Sequence, residues 1–161
     1  MIRPFQITDA QELLDIYNYY VLNTTATFDI EPLTLETFSN KLTRINNAYP
    51  CIVYQLEGEI VGYAYGSRFR PKPAYDYVAE STVYVKHTVH GKQIGTKLYE
   101  TLIRQLRKTE LHTVLGVLTI PNAASIKLHE KFGFKKVAEL KEVGLKFGEW
   151  QHVGIWQLKL H

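Results

Sequence analysis

The chain has 161 residues, 45% of them hydrophobic and 22% charged, which is the size and balance of one ordinary domain able to bury a core without staples. Ten glycines and six prolines are too few for a low-complexity chain, and the lone Cys51 excludes an intramolecular disulfide or a thiolate zinc site. A net charge of +3 is too small to argue for nucleic acid by itself.

Ile2 to Gln6 reads as a first strand, and Thr8 or Asp9 caps a helix in which Leu13, Leu14, Ile16, Tyr17, Tyr20 and Val21 recur at helical spacing. A second helix starts near Thr34, with Leu35, Phe38, Leu42 and Ile45 on one face. Cys51 to Leu56 and Ile60 to Ser67 form a hairpin around Glu57-Gly58-Glu59, and Cys51 is expected to be a small buried hydrophobe. Ala79 to Val85 is the next strand. A helical stripe follows in Ile94, Leu98, Leu102, Ile103 and Leu106, running to about Lys108.

Thr113 to Ile120 is an almost unbroken apolar run, as expected of a strand covered on both faces, and Pro121 stops it. Ser125 caps a short helix ending at Gly133, and Lys135 to Val143 and Trp150 to Leu160 are strands joined by a turn holding Gly144 and Gly148. This order implies an α/β fold in one domain, residues 1–161, with a mixed, mostly antiparallel twisted sheet and helices on both faces. No apolar run approaches the ~18 residues of a membrane span. Asp9 and Glu12 interrupt the N-terminus before a signal-like segment forms, so a cytoplasmic protein is expected.

Charge is uneven along the chain: Lys86, Lys92, Lys97, Arg104, Arg107 and Lys108 face a single acid, Glu100. This basic segment either serves a phosphate-bearing ligand or is a solvated helix face. Within it, His90-Gly91-Lys92-Gln93-Ile94-Gly95-Thr96 joins a strand to a helix. Gly91 and Gly95 allow a tight turn, and N–H groups at the helix start are able to cradle a phosphate or pyrophosphate. The loop is neither a Walker A loop nor a dinucleotide fingerprint, and two glycines alone are better explained by turn geometry.

The stretch Val78-Ala79-Glu80-Ser81-Thr82-Val83-Tyr84-Val85, this glycine loop, and Ile120-Pro121-Asn122-Ala123-Ala124-Ser125 through Phe132-Gly133-Phe134 resemble the GNAT superfamily of acetyl-CoA-dependent N-acetyltransferases. Within it, phosphinothricin acetyltransferases are the nearest match, extending to Ile2-Arg3-Pro4, Glu31-Pro32-Leu33-Thr34, Ala74-Tyr75-Asp76-Tyr77 and Lys146-Phe147-Gly148-Glu149-Trp150. The resemblance implies that Val83, Tyr84 and Val85 lend backbone groups to the pantetheine arm and thioester of acetyl-CoA. It implies that Gly91, Lys92, Gln93, Ile94, Gly95 and Thr96 hold the pyrophosphate, and that Asn122 contacts the coenzyme. His90 and Gln93 depart from the family loop, Gln93 standing where a motif glycine belongs; a helix-compatible backbone there keeps its N–H available.

Acetyl transfer to an amine needs a neutral nucleophile, so a base must take a proton from the ammonium form. Glu80, an acid among strand formers, is the candidate; the residues alone leave open an outward-facing exposed acid, and the resemblance favours the base. His129 matches a position implied to protonate the departing thiolate, although a histidine on a helix presenting Ile126 and Phe132 is more often a packed residue. For the acceptor, the resemblance implies Phe28, Lys72, Tyr75 and Trp150, with Lys72 replacing the usual arginine and Gln151-His152 departing from the family's pair.

The expected function is acetylation of the primary amine of a small amino-acid-like compound, of phosphinothricin, methionine sulfone or methionine sulfoximine type. No metal is expected, because no cluster of Cys, His and carboxylates has ligand spacing. The alternatives are acetylation of a protein N-terminus or another small amine, and a non-catalytic acyl-CoA-binding regulatory module. No nucleic-acid motif and no membrane partner are expected, and a homodimer is expected by analogy.

Overall fold

The computed structural model describes residues 1–89 and 91–161; His90 lies outside the described residues. Seven strands, β1 (Ile2–Pro4), β2 (Cys51–Leu56), β3 (Glu59–Arg68), β4 (Val78–Val85), β5 (Thr113–Ile120), β6 (Lys135–Lys146) and β7 (Glu149–Lys159), form one sheet in the order β1-β2-β3-β4-β5-β7-β6. Only β4 and β5 are parallel, because α3 (Ile94–Leu106) crosses over between them; every other pairing is antiparallel.

Period-two alternation divides the sheet between two cores. Ile60, Tyr63 and Tyr65 pack with Leu13, Tyr17 and Val21 of α1 (Ala10–Asn23) and with Phe38 and Leu42 of α2 (Leu35–Ala48). On the opposite face Val61, Ala64, Ala79, Val114 and Leu118 meet Leu98, Tyr99, Leu102 and Leu106 of α3. Gly62 and Gly66 let α3 lie close: a β-carbon would stand 3.0 Å from Leu98 Cδ1 at Gly62 and 3.1 Å from Leu106 Cδ2 at Gly66. Each leucine fully buried this way contributes roughly 1.5–3 kcal/mol.

Four local expectations are corrected. Asp9 precedes α1 without capping it through its side chain, because its carboxylate accepts two bonds from Arg3 (2.8 and 2.9 Å) and one from the Gln6 N–H (2.8 Å). The short helix, α4 (Ala123–Lys131), is capped by Asn122, whose Oδ1 accepts from the Ser125 N–H at 3.1 Å. Leu35 is exposed rather than part of the buried face of α2. Gly144 lies inside β6, leaving Phe147-Gly148 as the turn. Cys51 is buried, and burial pushes its thiol up to about 12.

Tyr63 is wholly buried, and among the described residues its hydroxyl has no hydrogen-bond partner. An unsatisfied buried hydroxyl costs about 1–3 kcal/mol. Tyr63→Phe should therefore unfold at equal or higher denaturant concentration; a clear loss of stability would show that the hydroxyl is satisfied after all.

Candidate active site

The two parallel strands part company early. Their register runs only from Val78 opposite Thr113 to Glu80 opposite Leu115, and a cavity of about 660 Å³ opens beyond it. At the fork the Ser81 hydroxyl donates to the Leu115 carbonyl (3.2 Å), satisfying an oxygen the strand ladder no longer reaches. Since that uses its only proton, Tyr99 donates to Ser81 Oγ at 2.7 Å.

The fork exposes a specific set of backbone groups. Lys86 N–H donates to the Val61 carbonyl at 2.8 Å, so Lys86, Tyr84 and Thr82 turn their amides toward β3. Val83 and Val85 therefore turn theirs toward the parting, where no strand pairs with them. Tyr20 from α1 donates its hydroxyl to the Val85 carbonyl at 2.5 Å, so that acceptor is partly committed.

Below this edge lies the start of α3. Its first described intrahelical bond runs from Lys97 N–H to the Gln93 carbonyl (3.0 Å), and the Gln93 side chain makes no cap. Among the described residues the N–H groups of Ile94, Gly95 and Thr96 thus have no partner, at the positive end of the helix dipole. Gly91 takes φ +71°, and Gln93 has φ 52° and ψ 31°. The expectation of a right-handed helical backbone at Gln93 is corrected: the residue sits in the left-handed region, where a glycine is the unstrained choice. Of the basic residues, Lys86 is paired with Glu59 and Arg107 with the Leu160 carbonyl.

Glu80 lines the cavity half-buried, and among the described residues its carboxylate has no hydrogen-bond or ion-pair partner, its backbone carbonyl alone accepting from Ser67 Oγ at 3.5 Å. Burial raises its carboxyl above the ordinary range, and the charge of Lys41 offsets part of that rise. Around it stand Tyr17, Thr27, Phe28, Lys41, Tyr65 and Ser67. The 24–34 loop that carries Thr27 and Phe28 is firmly held. Asn18 makes reciprocal bonds with the Leu33 N–H and carbonyl (both 3.0 Å), and Tyr17 donates to Asp29. Lys146, buried on β6, donates to the Thr27 carbonyl at 2.8 Å. The Phe28 ring occupies the space a side chain at Gly144 would take, which explains a glycine within a strand.

His129 also lines the cavity but is 2% exposed, against Tyr99 and Phe134. Its Nδ1 lies 2.7 Å from the Ser125 carbonyl, which only accepts, so Nδ1 carries the proton and neutral Nε2 presents a lone pair. Burial lowers its basicity, the Ser125 carbonyl opposing this in part. A neutral ring with this tautomer packs well and donates poorly, which favours the structural role over the expected proton donor.

The cavity thus brings together Glu80, Val83, Tyr84, Val85, Gly95, Asn122, His129 and Phe28. Lys72, Tyr75 and Trp150 are not among its lining residues, Trp150 being 58% exposed. Sequence reasoning gave no site role to Lys41, Tyr20 or Lys146; a lysine on a helix or edge strand carries no signal that it faces inward. Among the described residues no three His, Cys, Asp or Glu side chains gather at metal-binding distance, and no helix is long and apolar enough to cross a membrane.

A strand edge left unpaired over a helix start, with a desolvated acid lining the same cavity, leaves room for an extended anionic ligand beside an ionisable group. Residues 2–155 match the acetyltransferase (GNAT) domain, and the chain belongs to that family as a GNAT-type N-acetyltransferase. It is 39% identical to a phosphinothricin N-acetyltransferase of Streptomyces coelicolor, over 99% of this chain and 95% of that one. It is 35% identical to an L-methionine sulfoximine/L-methionine sulfone acetyltransferase of Pseudomonas aeruginosa, over 99% and 94%. A crystal structure of a phosphinothricin acetyltransferase from Sinorhizobium meliloti in complex with acetyl-CoA superposes with a TM-score of 0.95 at 28% identity, covering 99% of this chain and 87% of that one.

Proposed function

We propose that residues 1–161 act as one catalytic domain that moves an acetyl group from acetyl-CoA directly to the primary amine of a small amino-acid-like compound. Acceptors of the phosphinothricin, methionine sulfone or methionine sulfoximine type fit the relatives named above. The observation that carries the reading is Glu80: a desolvated carboxylate without a partner among the described residues, in the same cavity as the unpaired edge of β4.

The residues present fit the coenzyme. Val83 and the Val85 N–H offer amide groups with no strand partner, and Ile94, Gly95 and Thr96 offer open N–H groups to a pyrophosphate, with Lys92 and Lys97 adding charge. When bound, acetyl-CoA supplies a thioester whose carbonyl carbon an amine attacks. Glu80 takes the proton that keeps the amine from attacking, directly or through a water. Backbone N–H groups at the fork stabilise negative charge developing on the carbonyl oxygen, worth a few kcal/mol per well-aimed donor. Asn122 holds the start of α4 at the cavity wall, and its Nδ2 has no protein acceptor among the described residues.

Coenzyme-thiol release across a panel of free amino acids and their sulfone, sulfoximine and phosphinate analogues tests the proposal. Turnover confined to such acceptors supports it; tight coenzyme binding with no transfer to any amine favours the regulatory module instead. A second expectation concerns Gln93. Its left-handed backbone costs about 1 kcal/mol or more in a residue other than glycine. Gln93→Gly should therefore raise stability slightly and bind coenzyme A at least as tightly by calorimetric titration. Weaker binding would show that the glutamine side chain itself meets the coenzyme.

A further inference from the structure

We infer that Lys41 selects the acceptor, its ammonium receiving the α-carboxylate of an amino acid whose amine lies at Glu80. This rests on the acetyl-transfer reading above and adds to it the group that distinguishes an α-amino acid from a simple amine.

Among the described residues lining the cavity, Lys41 and Glu80 are the only Lys, Arg, Asp or Glu side chains. The lysine charge bears on the Glu80 carboxyl, yet no ion pair within 4.0 Å joins them. A cation and an anion facing one cavity, near but not touching, are the complement of a zwitterion: an α-amino acid carries its carboxylate one carbon from its ammonium group.

The lysine is also uncommitted. Half-buried on α2, it makes no hydrogen bond or ion pair among the described residues, and its Nζ stands 5.5 Å from the Tyr17 ring centroid. The face of Tyr17 steadies that ammonium without consuming its donors, because a π face attracts a cation but accepts no full charge. The Tyr17 hydroxyl is spent elsewhere: it donates to Asp29 and accepts from Thr27 Oγ1 at 2.8 Å. By contrast, Arg3 is held by Asp9, Lys86 by Glu59 and Lys146, the other inward-facing lysine of this region, by the Thr27 carbonyl. Three freely rotating N–H donors on a flexible stem suit a carboxylate whose position varies with the acceptor side chain.

The test compares methionine sulfone with the amine that lacks only its carboxylate, on unmodified enzyme, Lys41→Met and Lys41→Arg. A charge-assisted contact predicts that Lys41→Met raises KM for the amino acid about tenfold or more, while KM for the decarboxylated amine moves less than about twofold. Lys41→Arg should restore most of the preference. Both acceptors present their amine to Glu80, so any change in Glu80 ionisation cancels in the ratio. Unchanged coenzyme binding in Lys41→Met confirms an intact fold. An equal rise for both acceptors, or none for either, overturns the inference and leaves acetyl transfer standing. If unmodified enzyme acetylates neither, the transfer reading fails, and calorimetric binding of methionine sulfone decides the contact: loss in Lys41→Met upholds it, equal binding overturns it.

Discussion

Replacing Glu80 with glutamine should lower kcat/KM for the acceptor by about 10²–10⁴-fold, the range that general-base catalysis supplies, while leaving coenzyme affinity unchanged. The pH dependence carries a sign. A base works ionised, so the rate of the unmodified enzyme falls as pH drops through the Glu80 pKa. Burial sets that limb above the ordinary carboxylate range, less the part Lys41 offsets. In Glu80→Gln the limb disappears.

Stability should move the other way. The folded pKa of Glu80 is raised above its unfolded value, so the folded state holds the proton more tightly than the unfolded chain does. Ionising the buried group then costs stability as pH climbs from the unfolded value through the folded one, and nothing is lost below both. Glu80→Gln should accordingly melt no lower than the unmodified protein at neutral pH, and any advantage should vanish in acid. Full activity in the variant at neutral pH would remove Glu80 as the base, and a joint fall in activity and stability would mark it as a structural residue.

Much of this architecture is legible in residue order, and the exceptions share a cause. The double-faced apolar run of β5 and the crossover helix announce a parallel pair, but not that the pair ends after Glu80 opposite Leu115. That ending depends on Ser81 meeting a carbonyl 34 positions away, which local pattern does not encode. Both Asn122 and Ser125 are residue types that cap helices, so choosing Asn122 requires knowing where the chain turns. Gly144 reads as a turn glycine until Phe28, more than a hundred residues earlier, is found in the space beside it. Lys146 and Lys41 are the sharpest cases: a charged residue on an edge strand or amphipathic helix reads as solvated, and only tertiary packing turns one onto the Thr27 carbonyl and the other into the cavity. Glu80 escaped this fate because its neighbours on β4 carry the family resemblance.

A second large effect is expected on β5, one residue past the position opposite Glu80. Gly116 lies on β5 just past the fork, opposite Trp156 of β7, and a β-carbon there would overlap the His129 ring. Neither partner has room to yield: the strand is held by β7 in register from Thr113 to Ile120, and the imidazole is anchored at Ser125 and packed on Tyr99 and Phe134. Gly116→Ala should therefore destabilise the fold by about 1–3 kcal/mol, the usual cost of overpacking. At roughly 2–4 °C per kcal/mol in a chain of this size, thermal melting will resolve it. His129→Ala removes the obstacle, so the double variant should be more stable than the sum of the two single changes predicts, with a coupling on the order of 0.5–3 kcal/mol. Additive losses would mean that the ring is not what excludes a side chain at Gly116. The same pair separates the two roles of His129. A packed neutral ring predicts that the pH–rate profile of folded His129→Ala keeps the shape of the unmodified enzyme, whereas a proton donor to the leaving thiolate predicts that one limb of that profile is lost.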